Sequence, residues 1–299
     1  MKIQTFSVVV GGDSCNADCH YCVSKLTGSK NGICVGQKPM DINKRNFHKA
    51  CRFAQMSNVS TVLLTGKGEP TLYQDHITRY LEMLEKYDFP FIELQTNGIL
   101  FRDDIENKIS DEKLTEWYNA GLTTISLSCA HYLNGQNKTI FGKDIALEAN
   151  IKRLHKLGFS IRLSCVMVDG MIDNLISIKT FTTFCKLNNV EQLTIRPVGN
   201  ITTKETNFDP KKEKVRRWIE ENSKEVYENM DEIENWFDKN ASLLLTLAHG
   251  AKVYDYEGQN ISINSCLTRS DNPDDIRQLI FSSDGHLRFD WVLEGAIII

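Results

Sequence analysis

Phe6-Ser7-Val8-Val9-Val10-Gly11-Gly12-Asp13-Ser14-Cys15-Asn16-Ala17-Asp18-Cys19-His20-Tyr21-Cys22 is an apolar run, a pair of glycines and then three cysteines within eight residues. Thiols so close in sequence do not make a disulfide framework; they read as three ligands closing on one metal centre. Iron–sulfur clusters are normally held by four protein thiolates. A three-cysteine loop therefore leaves one iron for another ligand. The alternative is a tetrahedral zinc site completed by His20, although structural zinc sites usually pair two such knuckles and no second one follows.

A strand that runs straight into a ligand-bearing loop is the start of a βα unit, and the pattern repeats along the chain. β-Branched and aromatic runs at 6–10, 61–65, 91–95, 123–128, 161–166 and 192–196 alternate with amphipathic stretches at 42–57, 75–87, 111–120, 142–157 and 173–188. In the stretch 142–157, Ile145, Ala149, Ile151, Leu154 and Leu157 recur at helical spacing and Gly158 supplies the stop. This alternation predicts an α/β fold with a parallel sheet. Six strands predict a partial (βα)6 TIM-like barrel, with function at the strands' C-terminal ends.

After Gly199 the texture changes. Residues 1–200 are expected to form the core barrel, and 201–299 a helical and β-hairpin extension packed on it. Val215, Trp218, Ile219, Val226, Met230, Ile233 and Phe237 form an apolar stripe in a charge-rich stretch, whose charges read as a solvated face. Short strands are expected at 243–247, 261–263, 279–281 and 286–291, the last two joined through Ser282-Ser283-Asp284-Gly285.

Composition narrows the class. A net charge of −4 carries no electrostatic footprint for nucleic acid. No stretch reaches the apolar length of a membrane span, and the start lacks the pattern of a signal peptide. Nine cysteines, odd in number and mostly scattered, point to a reducing compartment, the cytoplasm.

The spacing Cys15-x3-Cys19-x2-Cys22 resembles that of the radical S-adenosylmethionine (radical SAM) superfamily, with a core most like its MoaA-type domains. The resemblance covers roughly residues 6–200. It implies that the three cysteines hold a [4Fe-4S] cluster whose fourth iron is chelated by the methionine end of SAM, with Tyr21 beside the adenine. Leu63-Leu64-Thr65-Gly66-Lys67-Gly68-Glu69-Pro70 resembles the family's Gly-Gly-Glu-Pro segment, with Lys67 in place of a glycine. Gly68, Glu69 and Pro70 would then meet the SAM amino group. Gln95-Thr96-Asn97-Gly98, Ile125-Ser126-Leu127-Ser128 and Leu193-Thr194-Ile195-Arg196-Pro197-Val198-Gly199 are similar to further family segments. They give Thr96, Ser126 and Pro197 as cofactor contacts, and Arg162 as a partner for the SAM carboxylate.

The implied reaction is reductive cleavage of SAM to a 5′-deoxyadenosyl radical that takes hydrogen from a small-molecule, nucleotide or peptide substrate, fed by an external donor such as flavodoxin or ferredoxin. An activase that places a glycyl radical on a partner, or a non-catalytic iron–sulfur or zinc module, are the alternatives. Cys129, Cys165 and Cys266 are candidate hydrogen donors, each weighed against a plain role as a small buried hydrophobe. Only Cys266 follows Cys185, so no auxiliary-cluster (SPASM or twitch) domain is expected.

Overall fold

The structure is a computed structural model and describes residues 2–26, 41–199, 209–247, 250–263, 275–291, 293 and 295–299. Strand β1 (Lys2–Val9) is followed by α1 (Val23–Leu26) and α2 (Lys44–Met56). Then come β2 (Thr61–Thr65), α3 (Gln74–Leu84), β3 (Phe91–Thr96), α4 (Asp111–Asn119) and β4 (Thr124–Cys129). Helices α5 (Asn134–Phe141) and α6 (Leu147–Lys156) lead to β5 (Ser160–Met167), α7 (Leu175–Leu187) and β6 (Gln192–Pro197). Strands β1 to β6 lie side by side in chain order and pair in parallel. This is the partial barrel read from the alternation.

The remainder comprises α8 (Pro210–Glu221), α9 (Lys224–Asn240), β7 (Ser242–Thr246), β8 (Lys252–Tyr256), β9 (Gln259–Ile263), β10 (Asp275–Phe281) and β11 (Leu287–Arg288). Its strands continue the same sheet at both edges. β10 pairs in parallel with β1 and β9 in parallel with β6, giving an 11-stranded order β11-β10-β1-β2-β3-β4-β5-β6-β9-β8-β7. β8 was not among the expected strands, and the expected strand 286–291 shortens to Leu287–Arg288. The turn between β10 and β11 lies at Asp284-Gly285 as read: Gly285 has φ 82°, and Arg288 bonds Asp284 at 2.7 Å.

The expected helix at 142–157 shortens to α6, and a helix not expected from sequence, α5, precedes it. Gly142 takes a left-handed conformation (φ 70°) and ends α5, and Ala146 (φ 46°) turns the chain into α6. A glycine taken for part of a helix is in fact a helix stop. Helix α7 opens on a capping box in which the Asn174 side chain accepts from the Ser177 N–H and the Ser177 hydroxyl accepts from the Asn174 N–H.

Alternation along the strands sorts the two faces of the sheet. Ile92, Leu94, Ile125, Leu127, Ile161, Leu163, Leu193 and Ile195 are buried on the side covered by helices, each withdrawing area that stabilises by about 1.5–3 kcal/mol. The residues between them are polar: Glu93, Gln95, Ser126, Ser128, Arg162, Ser164 and Thr194. They fall on the opposite, concave face. There Val9 and Ile280 form a small apolar patch against Trp291.

Candidate functional site

The cysteine loop leaves β1 at the C-terminal edge of the sheet and is held by three other segments. From the β2 loop, the Glu69 N–H donates to the Ser14 carbonyl at 2.9 Å. From the end of α5, the Phe141 and Ile140 carbonyls accept from the Asp18 and His20 N–H groups at 2.9 and 3.3 Å. From α8, Trp218 stacks on His20 and Tyr21, with ring centroids 5.5 and 6.3 Å away. Helix α5 and the reach of Trp218 were not foreseen from sequence. The stripe on 209–239 gave only an apolar face, and half-buried Trp218 turns out to roof the loop.

Cys15, Cys19 and Cys22 are all free thiols. Burial raises the pKa of Cys15 and, further, that of Cys19, and the neighbouring thiols add to both shifts. Among the described residues no group of three His, Cys, Asp or Glu side chains is arranged to hold a single metal ion. His20, the fourth donor of the zinc alternative, is stacked on Trp218. Three soft thiol donors on one short loop fit an iron–sulfur cluster.

Gly68 is where two loops meet. A Cβ added there would lie 2.0 Å from the Ser14 oxygen and 2.7 Å from its carbonyl carbon. The glycine thus admits the cysteine loop itself. Pro70 opens a single 3-10 turn, Pro70–Leu72, and Glu69 caps it, its Oε1 accepting from the Thr71 N–H at 3.0 Å. The same oxygen accepts the Thr71 and Thr96 hydroxyls at 2.6 Å each, and Oε2 accepts the Asn97 N–H at 2.9 Å.

Glu69 is 3% exposed and makes no ion pair among the described residues. Burial pushes its pKa above the usual carboxylate value although four hydrogen bonds pull the other way. A buried acid held in place by neutral donors and lacking a cation has the geometry to accept one.

Thr96 serves Glu69 on one side and accepts from the Gly98 N–H at 3.1 Å on the other, so its hydroxyl orients the acid. Arg162 lies on the concave face, where it pairs with Glu93 at 2.5 Å and reaches the Ser126 hydroxyl at 3.4 Å. The guanidinium expected to meet a carboxylate from outside already has one from β3. Tyr21 sits with its ring edge-on to Phe141, 6.2 Å between centroids. Pro197 ends β6 opposite Met167, which accepts the Val198 N–H.

Two of the candidate hydrogen donors are fully buried. Cys129 and Cys165 are register partners on β4 and β5 and are fully buried on the helix-covered face, in line with Leu127 and Leu163. Burial raises the Cys129 pKa strongly. Neither is in phase with the polar residues of the concave side. Cys266 lies outside the described residues.

Asn97 was missed, although it sits inside a segment singled out in the sequence. Its backbone holds Glu69, its Oδ1 accepts from the Ile99 N–H at 3.0 Å, and its Nδ2 donates to Asn16 Oδ1 at 2.8 Å and lies 3.9 Å from Cys15 Sγ. Its position between a strand end and a left-handed Gly98 (φ 73°) was the available signal. Among the described residues no helix is long and apolar enough to cross a membrane.

The model of the radical SAM superfamily matches residues 9–181, more than half of the chain. The chain is 27% identical over 172 residues to GTP 3′,8-cyclase of Aeromonas hydrophila, covering 54% of this chain and 45% of that protein. It is 26% identical over 162 residues to an uncharacterised protein of Methanocaldococcus jannaschii, covering 54% of this chain and 46% of the other. The chain thus spans about half the length of the curated relatives it matches. Among solved structures, Streptococcus suis SuiB bound to S-adenosylmethionine superposes with a TM-score of 0.58 at 14% identity, over 97% of this chain and 60% of that one. At that identity the likeness concerns the fold. Enzymes of this kind cleave SAM reductively with an iron–sulfur cluster, and the chain belongs to the radical SAM superfamily.

Proposed function

We propose that Cys15, Cys19 and Cys22 hold a [4Fe-4S] cluster, and that the chain cleaves SAM and takes hydrogen from a small-molecule, nucleotide or peptide substrate. The observation that carries this reading is Glu69, a buried carboxylate without a cation, set on the loop that Gly68 brings against the cysteines. When bound, the cluster supplies one electron to the SAM sulfonium, giving methionine and a 5′-deoxyadenosyl radical. Glu69 accepts the SAM ammonium, and Thr71, Thr96 and Asn97 hold its two oxygens so that no reorganisation accompanies binding. Tyr21, Phe141 and Trp218 form an aromatic wall beside the loop.

Pro70, Ser126, Arg162 and Pro197 complete the cofactor's surroundings. Residues 1–200 form the core and 201–299 the extension, and an external one-electron donor such as flavodoxin or ferredoxin reduces the cluster. Anaerobic reconstitution with iron and sulfide, followed by SAM and reductant, tests the reading: 5′-deoxyadenosine and methionine accumulate together. A fully loaded protein that yields neither would end it.

A further inference from the structure

The Asn16 carboxamide stands inside the cysteine loop, directly after Cys15, with its Nδ2 buried and without a hydrogen-bond partner. A buried amide donor left unpaired is destabilising, so its persistence in a loop of ligands calls for a partner that arrives later. Its orientation is determined by a chain of bonds. The Ile99 N–H donates to Asn97 Oδ1, which fixes the Asn97 amide with Nδ2 toward the cysteine loop. That Nδ2 donates to Asn16 Oδ1 at 2.8 Å, which leaves the Asn16 Nδ2 on the other side of its amide. Asn97 Nδ2 itself lies 3.9 Å from Cys15 Sγ, and the Ala17 N–H donates to the same sulfur at 3.5 Å. Sulfur is therefore the acceptor this set of donors already serves.

We propose that Asn16 and Asn97 form an amide pair that donates N–H bonds to the sulfurs of the cluster and raises its reduction potential. Asn16 supplies the free donor, and Asn97 is the positioning residue that aims it. Hydrogen bonds to sulfur stabilise the extra negative charge of a reduced cluster and are among the levers that set its potential. The same Asn97 holds Glu69 Oε2 through its backbone N–H, so one residue ties the receptor for the SAM ammonium to a cluster ligand. This inference rests on the cluster reading above.

The test is potentiometric titration of the anaerobically reconstituted full chain, followed by electron paramagnetic resonance, with iron and sulfide counted for each protein. Asn16→Leu keeps the shape and the neutral charge and removes the donor. It loads like the wild type and titrates at a more negative midpoint. Asn97→Ala moves the midpoint the same way, and the double variant moves it at least as far as either change alone, because Asn97 both aims Asn16 and donates to Cys15 Sγ. Loaded variants with the wild-type midpoint overturn the proposal. Should Asn16→Leu not load, Asn16→Ser replaces it, and a measurement on the wild type decides independently. Electron–nuclear double resonance of the reduced cluster shows an exchangeable proton coupled to it, and its absence overturns the proposal. A wild-type chain that takes up no cluster instead defeats the cluster reading itself, and this inference with it.

Discussion

Gly68→Ala separates a glycine needed for space from one needed for backbone freedom. Only the former applies, since Gly68 has no positive φ. The added methyl would sit 2.0 Å from the Ser14 oxygen and within 2.8 Å of the Asp13 carbonyl carbon. Nonbonded heavy atoms rest at about 3.5 Å or more, so one backbone must retreat from the other by more than about 1 Å. Both partners are main chain, so no side chain can rotate aside. Overpacking of this kind costs about 1–3 kcal/mol, and loss of the Glu69 N–H to Ser14 bond adds about 0.5–1.5 kcal/mol.

The expected sum is about 1.5–4.5 kcal/mol, read as a fall in Tm of roughly 2–7 °C for a chain of this size. Because the displaced backbone carries Cys15, iron uptake falls as well. Gly66→Ala is the internal control. Its Cβ would meet the Pro70 ring at 3.1–3.2 Å and no backbone nearer than the Gly68 oxygen at 3.3 Å. Thermal melts of the apo proteins and iron counts after reconstitution decide between them. If Gly68→Ala melts and loads like Gly66→Ala, the close approach of the two loops is not what holds the site.

Replacing Cys15, Cys19 and Cys22 together by alanine leaves the apo fold intact, since none is in a disulfide, and abolishes iron uptake; retained iron would place the cluster elsewhere. Glu69→Gln weakens SAM binding at least tenfold by calorimetry. The Glu69 pKa is raised by burial, so the stability linked to it is present below the ordinary carboxylate pKa and is lost as pH rises through the raised value. The Gln variant lacks that part of the fall, and matching slopes of Tm against pH for both proteins would contradict it. Cys165→Ala retains formation of 5′-deoxyadenosine and loses about 1–2 kcal/mol of stability from the vacated core volume; product loss at full iron content would restore a role for the thiol.

The parts legible in the sequence were those whose cause is local. A cysteine triad after a β-branched run, a Gly-Glu-Pro tripeptide after the second and a Thr-Asn-Gly segment after the third are each read within a few residues, and β1 to β6 follow from simple alternation. What escaped depended on distant partners. β9 and β10 are five and seven residues long, and nothing in Gln259–Ile263 announces that it will lie beside β6. Helix α5 was hidden because Gly142 serves equally as a loop residue or a stop, and its role shows only when the Phe141 carbonyl meets Asp18. Cys129 and Cys165 lie at the strand ends, as read, and their face was not legible from position alone. Register decides which face a residue takes, and both fall in line with leucines.

That same alternation carries information about function that the motifs do not. A parallel sheet covered on both faces reads as nearly continuous apolar strands, whereas β3, β4 and β5 alternate throughout: Phe91-Ile92-Glu93-Leu94-Gln95-Thr96, then Thr124-Ile125-Ser126-Leu127-Ser128-Cys129, then Ser160-Ile161-Arg162-Leu163-Ser164-Cys165. The helices account for the apolar members of each pair. The polar members face a surface on which Glu93 and Arg162 neutralise each other and Ser126 and Gln95 supply further donors and acceptors. A face of this kind must be wetted or filled by a ligand, because packing it dry would strand its hydroxyls and amides. This face of β3, β4 and β5 is therefore polar along its strands, and the cysteine loop and Glu69 lie at the strands' C-terminal ends. If the proposed substrate enters on this face, removal of a single hydroxyl or amide from it would cost more binding than removal of a methyl group.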